Sequence, residues 1–314
     1  MKPLMKYSLP LLIIIVLSLF YMHYTGAEPE GPVKNEIKKS VLKKAWKKFS
    51  GGRDGKVVYA DPPDMVILNL NNGTRKKIAG IVTEGGKGRW QRGKTPRPFW
   101  SPDGKFFVFR YSGSIYIADE SGIKKQIEND RMNTSKETRW SIIEIEKDYY
   151  VFGPSKKRKG IAVNINNPEK VIVLFPHPLI GKHCEVTKDV RFIVYNNGKN
   201  IMVADLEKGG KGIRISKKQN CRPCASPSLY AAWLPAPHIK YNIHNVKDGK
   251  FIKELRAPEN EEIYRLNWSN DEEFAVHMFG SRGNTRMHIR KISSGESLFI
   301  GNGWDPDLWI GKDQ

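Results

Sequence analysis

Short apolar segments and turn residues alternate along most of the chain. Segments such as residues 106–109, 192–195 and 274–278 are strand-sized and rich in aromatic or β-branched residues. Many are followed by a second, alternating segment, for example 115–119 or 201–205, and then by Gly, Asn or Ser. Short apolar segments bounded by such turns are typical of β-strands. The pattern predicts an all-β fold from residue 51 onward.

The strand pairs recur at a nearly fixed interval. A Trp or Cys precedes the first strand of five units, with spacings of 40, 44, 40 and 44 residues. These positions are Trp100, Trp140, Cys184, Cys224 and Trp268. Residues 57–59 and 65–68 belong to an earlier unit. Dividing the 264 residues after Ser50 by six units gives about 44 each, the period of a four-stranded propeller blade.

The tail of the chain supplies one more strand than six units require. Residues 305–311 are strand-sized and follow the sixth unit. Radially stacked sheets cover one another, but a ring that does not close leaves exposed edges on its first and last sheets. We therefore expect a six-bladed β-propeller whose C-terminal strand completes the first blade, with seven blades as the alternative.

One unit carries a recognisable repeat motif. Residues 100–109, Trp-Ser-Pro-Asp-Gly-Lys-Phe-Phe-Val-Phe, and 115–119, Ile-Tyr-Ile-Ala-Asp, resemble the repeat of TolB-like, WD40-like (PD40-type) β-propellers. Residues 50–56 resemble the Arg-Asp-Gly turn of the same family, whereas 226–228 lack the Asp-Gly of the motif. The resemblance implies a propeller fold. It also implies a role such as docking proteins of the bacterial cell envelope, or service as the propeller domain of a hydrolase.

The N-terminus has the order of a secretory signal. Two lysines in residues 1–6 precede an apolar run at 9–21 and small residues at 25–27. We expect residues 1–27 to be a signal peptide or signal anchor, residues 28–50 a basic linker with an amphipathic helix, and residues 51–314 the propeller. The expected location is periplasmic or extracellular, with anchoring to the inner membrane through residues 7–25 as an open alternative.

A helical pattern spans residues 35–49. Ile37, Val41, Ala45 and Phe49 recur at four-residue spacing beside Trp46, and lysines occupy the other faces. One interpretation is a basic helix that lies on an anionic membrane surface. The interpretation we favour is a lead-in helix that packs its apolar stripe on the following domain.

The chain is strongly basic. It has 53 Lys and Arg against 33 Asp and Glu, a formal net charge of +20. The basic clusters, such as 75–77, 156–159 and 217–218, fall in predicted turns of different blades, whereas nucleic-acid binders concentrate charge on one face. We expect no nucleic-acid partner. The expected partner of a monomer is an envelope protein or an anionic polymer, meaning acidic polysaccharide or lipid headgroups.

Motifs for catalysis are missing from the sequence. It contains no Gly-x-Ser-x-Gly elbow, no Gly-x-Gly-x-x-Gly turn and no phosphate-binding Gly-Lys-Ser/Thr loop. We therefore assign no catalytic, cofactor-binding or metal-binding residue and expect no cofactor. A polysaccharide-active enzyme would need His or acidic side chains from several blades at one mouth of the channel. The candidate histidines are His177, His183, His238, His244, His277 and His288.

The cysteines suggest a disulfide. Cys184 and Cys224 occupy the same slot in consecutive repeats, the slot that Trp fills in three other units. In an exported protein, equivalent positions on neighbouring blades can be bridged if their Cα atoms lie within about 7 Å. Cys184 and Cys224 are therefore the candidate pair. A Cys184–Cys221 bridge and the absence of any bridge stay open.

These observations favour an exported, non-enzymatic β-propeller that binds a protein or a polyanion in the cell envelope. The alternative is a lyase-like or hydrolase-like propeller enzyme that acts on polysaccharide.

Overall fold

The computed structural model describes residues 37–311 with several gaps. The gaps are residues 62–63, 79–96, 112, 134–139, 178, 180–183, 211, 218–222, 234, 236–237, 258–260 and 281–284. The predicted signal or anchor at 1–27 lies outside the described residues. Within them, no helix is long and apolar enough to cross a membrane.

The described residues form one helix and six four-stranded antiparallel sheets, the blades. The helix is α1 (Lys39–Ser50). Blade 1 contains β1 (Gly55–Asp61), β2 (Asp64–Asn69) and β3 (Arg75–Lys77); blade 2 contains β4 (Phe99–Trp100), β5 (Phe107–Tyr111), β6 (Ser114–Asp119) and β7 (Gly122–Ile127). Blade 3 contains β8 (Ser141–Ile145), β9 (Asp148–Pro154), β10 (Gly160–Asn164) and β11 (Val171–Phe175). Blade 4 contains β12 (Cys184–Val186), β13 (Phe192–Asn196), β14 (Ile201–Asp205) and β15 (Gly212–Ser216). Blade 5 contains β16 (Pro223–Ala225), β17 (Tyr230–Trp233), β18 (Lys240–Asn245) and β19 (Phe251–Arg256). Blade 6 contains β20 (Ile263–Trp268), β21 (Phe274–Phe279), β22 (Arg286–Lys291) and β23 (Ser297–Asn302), and β24 (Trp304–Ile310) returns to blade 1.

The last strand closes the ring. β24 pairs antiparallel with β1, with Gly55 opposite Ile310 and Val57 opposite Leu308. Blade 1 therefore combines the first and last strands of the chain, in the order β24-β1-β2-β3. The predicted all-β propeller with six blades and a C-terminal closing strand is confirmed, and the seven-bladed alternative is wrong.

Apolar residues fill the space between neighbouring blades. The six buried clusters each combine residues of two adjacent blades, so that every one of the six interfaces has its own core. Between blades 1 and 2, for example, Val58 and Ile67 pack with Trp100 and Phe107. No blade buries its faces alone, which is why the repeat is stable only as a ring.

A hydroxyl–carboxylate turn follows the inner strand in several blades. In blade 2 the Ser101 hydroxyl donates to Asp103 at 2.6 Å and accepts from the Phe106 N–H at 3.2 Å. Thr187 with Asp189 in blade 4 and Ser269 with Asp271 in blade 6 make the same side-chain bond. These hydrogen bonds hold the turn between the first two strands of blades 2, 4 and 6.

Blade 5 obtains the carboxylate for this turn from its neighbour. Its turn has Ser228 where the other turns have Asp, which is the gap in the repeat motif. The Glu272 carboxylate, from the blade 6 turn, accepts hydrogen bonds from the Ser226 hydroxyl and from the N–H groups of Ser228 and Leu229. Glu272 has a φ of 63°, so this residue adopts a left-handed conformation to reach across. A carboxylate of blade 6 therefore takes the place of the Asp that the blade 5 turn lacks.

The helix packs on the propeller, as we favoured, and Ile37 and Phe49 of the predicted stripe take part in the contact. Leu42 and Trp46 are buried against blades 1 and 6, and Phe49 packs on Phe274. Val41, which we placed in the apolar stripe, is 55% exposed. The propeller surface determines which face packs. The Trp46 ring lies against Gly55, and its indole N–H donates to the Arg53 carbonyl at 2.8 Å.

Substituting Gly104 with Ala tests the fit between the closing strand and blade 2. Gly104 has a φ of +68°, and a Cβ there would overlap the Trp309 ring. Left-handed backbone costs an L-residue about 1–2 kcal/mol, and crowding a packed site adds about 1–3 kcal/mol. The control is Gly209→Ala, because Gly209 has a φ of +74° and open space around it. Urea titrations should give a loss of unfolding free energy that is at least about 1 kcal/mol larger for Gly104→Ala. Equal losses of unfolding free energy in the two variants would show that the Trp309 ring moves aside with no measurable loss of stability.

Candidate functional site

The inner strands of the six blades surround a small cavity on the ring axis. One residue of each inner strand occupies the same register, opposite an equivalent residue of the second strand. We call these six residues the inner ring: Phe99, Ser141, Glu185, Cys224, Asn267 and Asp307. The cavity has a volume of about 50 Å³. That is room for a few waters, well below the roughly 300–1,000 Å³ of a pocket for a small-molecule ligand.

The inner ring ties adjacent blades together by hydrogen bonds. The Asp307 carboxylate accepts from the Trp100 N–H at 2.7 Å, and Glu185 accepts from the Ala225 N–H at 2.9 Å. Asn267 Nδ2 donates to the Pro306 carbonyl at 2.6 Å, and Cys224 Sγ donates to the Leu266 carbonyl at 3.2 Å. Each bond runs from one inner strand to the inner strand of the following blade. These side chains satisfy backbone groups that inner strands leave unpaired on their channel side.

Charged groups meet at the mouth of the cavity. Lys188, in the turn that follows β12, lines the cavity with Asp307. Burial raises the pKa of Asp307 to about 6, although the Lys188 ammonium and the Trp100 N–H oppose that shift. Burial also lowers the pKa of Lys188, while the carboxylates of Asp307, Asp271 and Glu272 counteract it. Among the described residues, the Lys188 amine and the Asp307 carboxylate therefore interact electrostatically at the mouth of the cavity, where burial opposes the charged form of each.

A buried ion pair links blades 6 and 1, and its arginine also contacts blade 2. The guanidinium of Arg265 lies 3.1 Å from the Asp305 carboxylate and donates from Nε to Asn267 Oδ1 at 3.2 Å. It also lies over the Phe99 ring, 4.9 Å from the centroid. Arg265 and Asp305 are both buried. Removing either partner would leave a buried charge without its counter-ion, which is costly, so this pair links blade 6 to the closing strand.

The sequence analysis did not identify the inner ring. Glu185, Lys188 and Asp307 belong to no motif and stand in different sequence contexts. A usable signal exists, however. In blades 2, 4, 5 and 6, the inner-ring residue stands two positions before the Ser or Thr of the turn, at Ser101, Thr187, Ser226 and Ser269. Aligning the repeats on that hydroxyl identifies the ring.

The two cysteines are not equivalent. Glu185, not Cys184, is the counterpart of Cys224 in strand register. Cys184 is therefore displaced by one position, and it packs between blades 3 and 4, whereas Cys224 packs between blades 5 and 6. A one-residue shift turns a strand side chain to the opposite face. The structure has both side chains as buried thiols. The Cys184–Cys224 disulfide stays a prediction that this register does not support, and Cys221 lies outside the described residues.

The described histidines occupy separate places. His177 is exposed beside the Gly209 carbonyl, and His238 follows β17. His244 is buried and accepts from the Trp233 indole N–H at 3.1 Å. His277 and His288 form a cross-strand pair in blade 6. No group of three or more His, Cys, Asp or Glu in the described residues could hold a metal ion. His183 lies outside them.

Burial of His277 predicts acid sensitivity. His277 is 1% exposed, and burial, followed by the charges of Arg290 and His288, lowers its pKa well below 6.5. The unfolded chain therefore binds a proton that the folded chain does not, so stability is lost as the pH falls below about 6.5, at about 1.4 kcal/mol per pH unit for one such group. His288, whose pKa burial lowers to about 4, adds to this.

The test is the slope of unfolding free energy against pH between about 6.5 and 5. His277→Phe should flatten the slope, whatever its effect on absolute stability. The matched control, His177→Phe at an exposed position, should leave it unchanged. An unaltered slope in the His277 variant would show that this histidine titrates normally.

Two surfaces carry runs of cations without ion pairs in the described residues. One is the turn between β9 and β10, together with Arg131 from the connection between β7 and β8. We call it the blade 3 cationic turn, and its cations are Arg131, Lys156, Lys157, Arg158 and Lys159. All five are exposed. The other is the outer face of α1. Elsewhere many cations are paired, as Arg53 is with Asp271 and Glu273.

The two surfaces lie at opposite ends of the ring. α1 contacts the start of β1, at Gly55, and the start of β21, at Phe274. The blade 3 cationic turn follows the end of β9. β1, β9 and β21 are all second strands of their blades and run in the same direction along the ring axis.

Comparison with known proteins supports the fold. No protein family matches the chain, and no curated protein does. A chain from the crystal structure of a nidogen/laminin complex has a TM-score of 0.56 at 10% identity, covering 82% of this chain and 98% of that chain. The β-propeller domain of Cps50 (Swd1) from Myceliophteria thermophila has a TM-score of 0.51 at 10% identity, covering 77% of this chain and 81% of that one. At this identity the likeness establishes a β-propeller scaffold alone.

Proposed function

We propose that this chain is an exported, non-enzymatic β-propeller, related to the TolB-like group, that binds an acidic polysaccharide of the cell envelope through the blade 3 cationic turn. Such a polymer carries carboxylates or sulfates at regular spacing, and a fixed row of cations complements it. The observation that carries the proposal is the turn itself, with five exposed cations and no ion pair among the described residues.

The backbone of this turn is held in place. The Ser155 N–H donates to the Lys159 carbonyl at 2.7 Å, and the Ser155 hydroxyl accepts from the Lys159 N–H at 2.9 Å. The Lys156 N–H donates to the Arg131 carbonyl at 2.9 Å, which brings the fifth cation alongside. Arg158 has a φ of 60°, so the turn is tight. A preorganised set of charges loses less entropy on binding than a flexible one.

The interior of the ring favours binding over catalysis as the role. Four of the six inner-ring side chains are engaged in hydrogen bonds between blades, and the cavity has room for only a few waters. A propeller with so small a central cavity presents its turns and loops as the surfaces that contact a partner. The nidogen/laminin complex contains a chain of this fold.

Polymer binding by charge variants tests the proposal. Purified full-length chain is titrated with polygalacturonate, with neutral dextran as the ligand control. Replacing Lys156, Lys157, Arg158 and Lys159 with Gln should weaken binding at least about tenfold, or about 1.4 kcal/mol, and should reduce its salt dependence. The matched control removes four exposed lysines from other turns, Lys147, Lys199, Lys247 and Lys250. That variant should retain most of the affinity.

Three results would overturn the proposal. Equal losses in the two variants would mean that net charge, not this turn, governs binding. New reducing ends in the wild-type reaction would make the protein a polysaccharide-active enzyme. Failure to bind the polymer, combined with crosslinking of an envelope protein through this turn, would make the partner a protein.

A further inference from the structure

The apolar face of α1 is occupied by the propeller. Leu42 and Trp46 are each 1% exposed. The Trp46 ring lies 5.8 Å from the Phe274 ring, centroid to centroid, and leaves no space for a side chain at Gly55. The helix is thereby fixed as part of the folded domain. It cannot insert this face into a bilayer as a free amphipathic helix would.

The outward face of α1 carries an unbalanced charge. The helix and its N-cap present six exposed lysines and contain no acidic residue. They are Lys38, Lys39, Lys43, Lys44, Lys47 and Lys48. None of them forms an ion pair within the described residues.

This arrangement is unfavourable for the helix in isolation. Like charges four residues apart, as in Lys39 with Lys43 and Lys43 with Lys47, destabilise a helix. Lys39 in the first turn also opposes the helix dipole. A negatively charged partner would remove both penalties, so the face is suited to an anionic surface.

We propose that the lysine face of α1 binds the surface of an anionic lipid bilayer by charge alone, with the channel mouth of the propeller toward the membrane. The helix is about 18 Å long, so its lysines form a strip on one side of a rigid body. Val41, 55% exposed among them, is positioned to contact the lipid headgroup region. Basic residues next to a membrane attract anionic headgroups within a Debye length.

The position of α1 in the chain favours a bilayer over another polyanion. The apolar run at 9–21 ends shortly before the helix. The stretch from Tyr24 to Lys38 spans at most about 50 Å when fully extended. A bilayer that holds the apolar run is therefore within reach of the lysine face. This inference does not depend on the polysaccharide proposal, since the blade 3 cationic turn lies at the other end of the ring.

Lysine labelling on vesicles tests the inference with the full-length wild-type chain. The protein is added to vesicles of phosphatidylglycerol and phosphatidylcholine, or of phosphatidylcholine alone, and treated with an amine-reactive reagent. Mass spectrometry then gives the labelling rate of each lysine. The α1 lysines should label about fivefold more slowly on the anionic vesicles, and the protection should vanish near 1 M salt, where the Debye length is about 3 Å. Lys156, Lys157 and Lys159 serve as internal controls and should label equally on both.

Two outcomes would overturn the inference. Equal labelling of the α1 lysines on both kinds of vesicle would show that the face does not touch lipid. Protection of Lys156, Lys157 and Lys159 instead would show the opposite orientation. A second experiment measures sedimentation with anionic vesicles. Replacing Lys39, Lys43 and Lys47 with Gln should reduce the sedimented fraction severalfold. The control variant, which lacks the lysines at 147, 199, 247 and 250, should sediment as the wild type does. Polygalacturonate binding should be unchanged in the α1 variant, which separates this proposal from the polysaccharide site.

Discussion

The pairing of β24 with β1 is the constraint on which the propeller depends. Six blades stack through apolar interfaces, but a stack of sheets has two exposed ends unless the chain brings them together. β24 does so by hydrogen bonding to β1, and its Leu308 and Ile310 join the cluster between blades 6 and 1. Asp307 and Trp309 extend the contacts to blade 2, at the Trp100 N–H and the Pro102 carbonyl.

The same strand determines the interior. β24 supplies Asp305, which pairs with Arg265 of blade 6, and Asp307, which accepts a hydrogen bond from the Trp100 N–H of blade 2. The channel is narrow there and is bridged by side chains, which leaves a cavity for a few waters. Because this cavity is too small for a large ligand, a polymer or a membrane would contact the outer surfaces of the ring. The two cationic faces at opposite ends support a protein held to an anionic membrane at one end and to a polymer at the other, which is the arrangement that our two proposals describe together.

Much of the fold could be predicted from sequence, because its strands are short, apolar and bounded by turn residues. Residues 305–311 were expected as the closing strand, and β24 spans Trp304–Ile310. Register was harder. Cys184 was aligned with Cys224, whereas the structure aligns Glu185 with it, because Cys184 stands three positions before the turn hydroxyl of Thr187 and Cys224 only two before that of Ser226. A slip of this size is invisible without the turn hydroxyl as a reference.

The packing of α1 and the completion of blade 5 could not be predicted for a related reason. Four-residue spacing selects Val41 and Ala45 as readily as Leu42 and Trp46, and only the propeller surface decides between them. Glu272 completes a turn in another blade, 44 residues away. Such contacts depend on which turns the ring brings together. The candidate cations of the 156–159 cluster were visible in the sequence, but their lack of ion pairs with the part of the chain that the structure describes was not.

Truncation of the closing strand tests whether the folded ring depends on the pairing of β24 with β1. A chain that ends at Gly303 lacks β24, and a control chain that ends at Gly311 retains it. Both are unfolded in urea while tryptophan fluorescence and far-ultraviolet circular dichroism are recorded. We predict a cooperative transition for the control and none for the truncated chain, because blade 1 loses the strand that joins it to blade 6. A truncated chain that unfolds cooperatively at the same urea concentration as the control would show that the ring holds without β24.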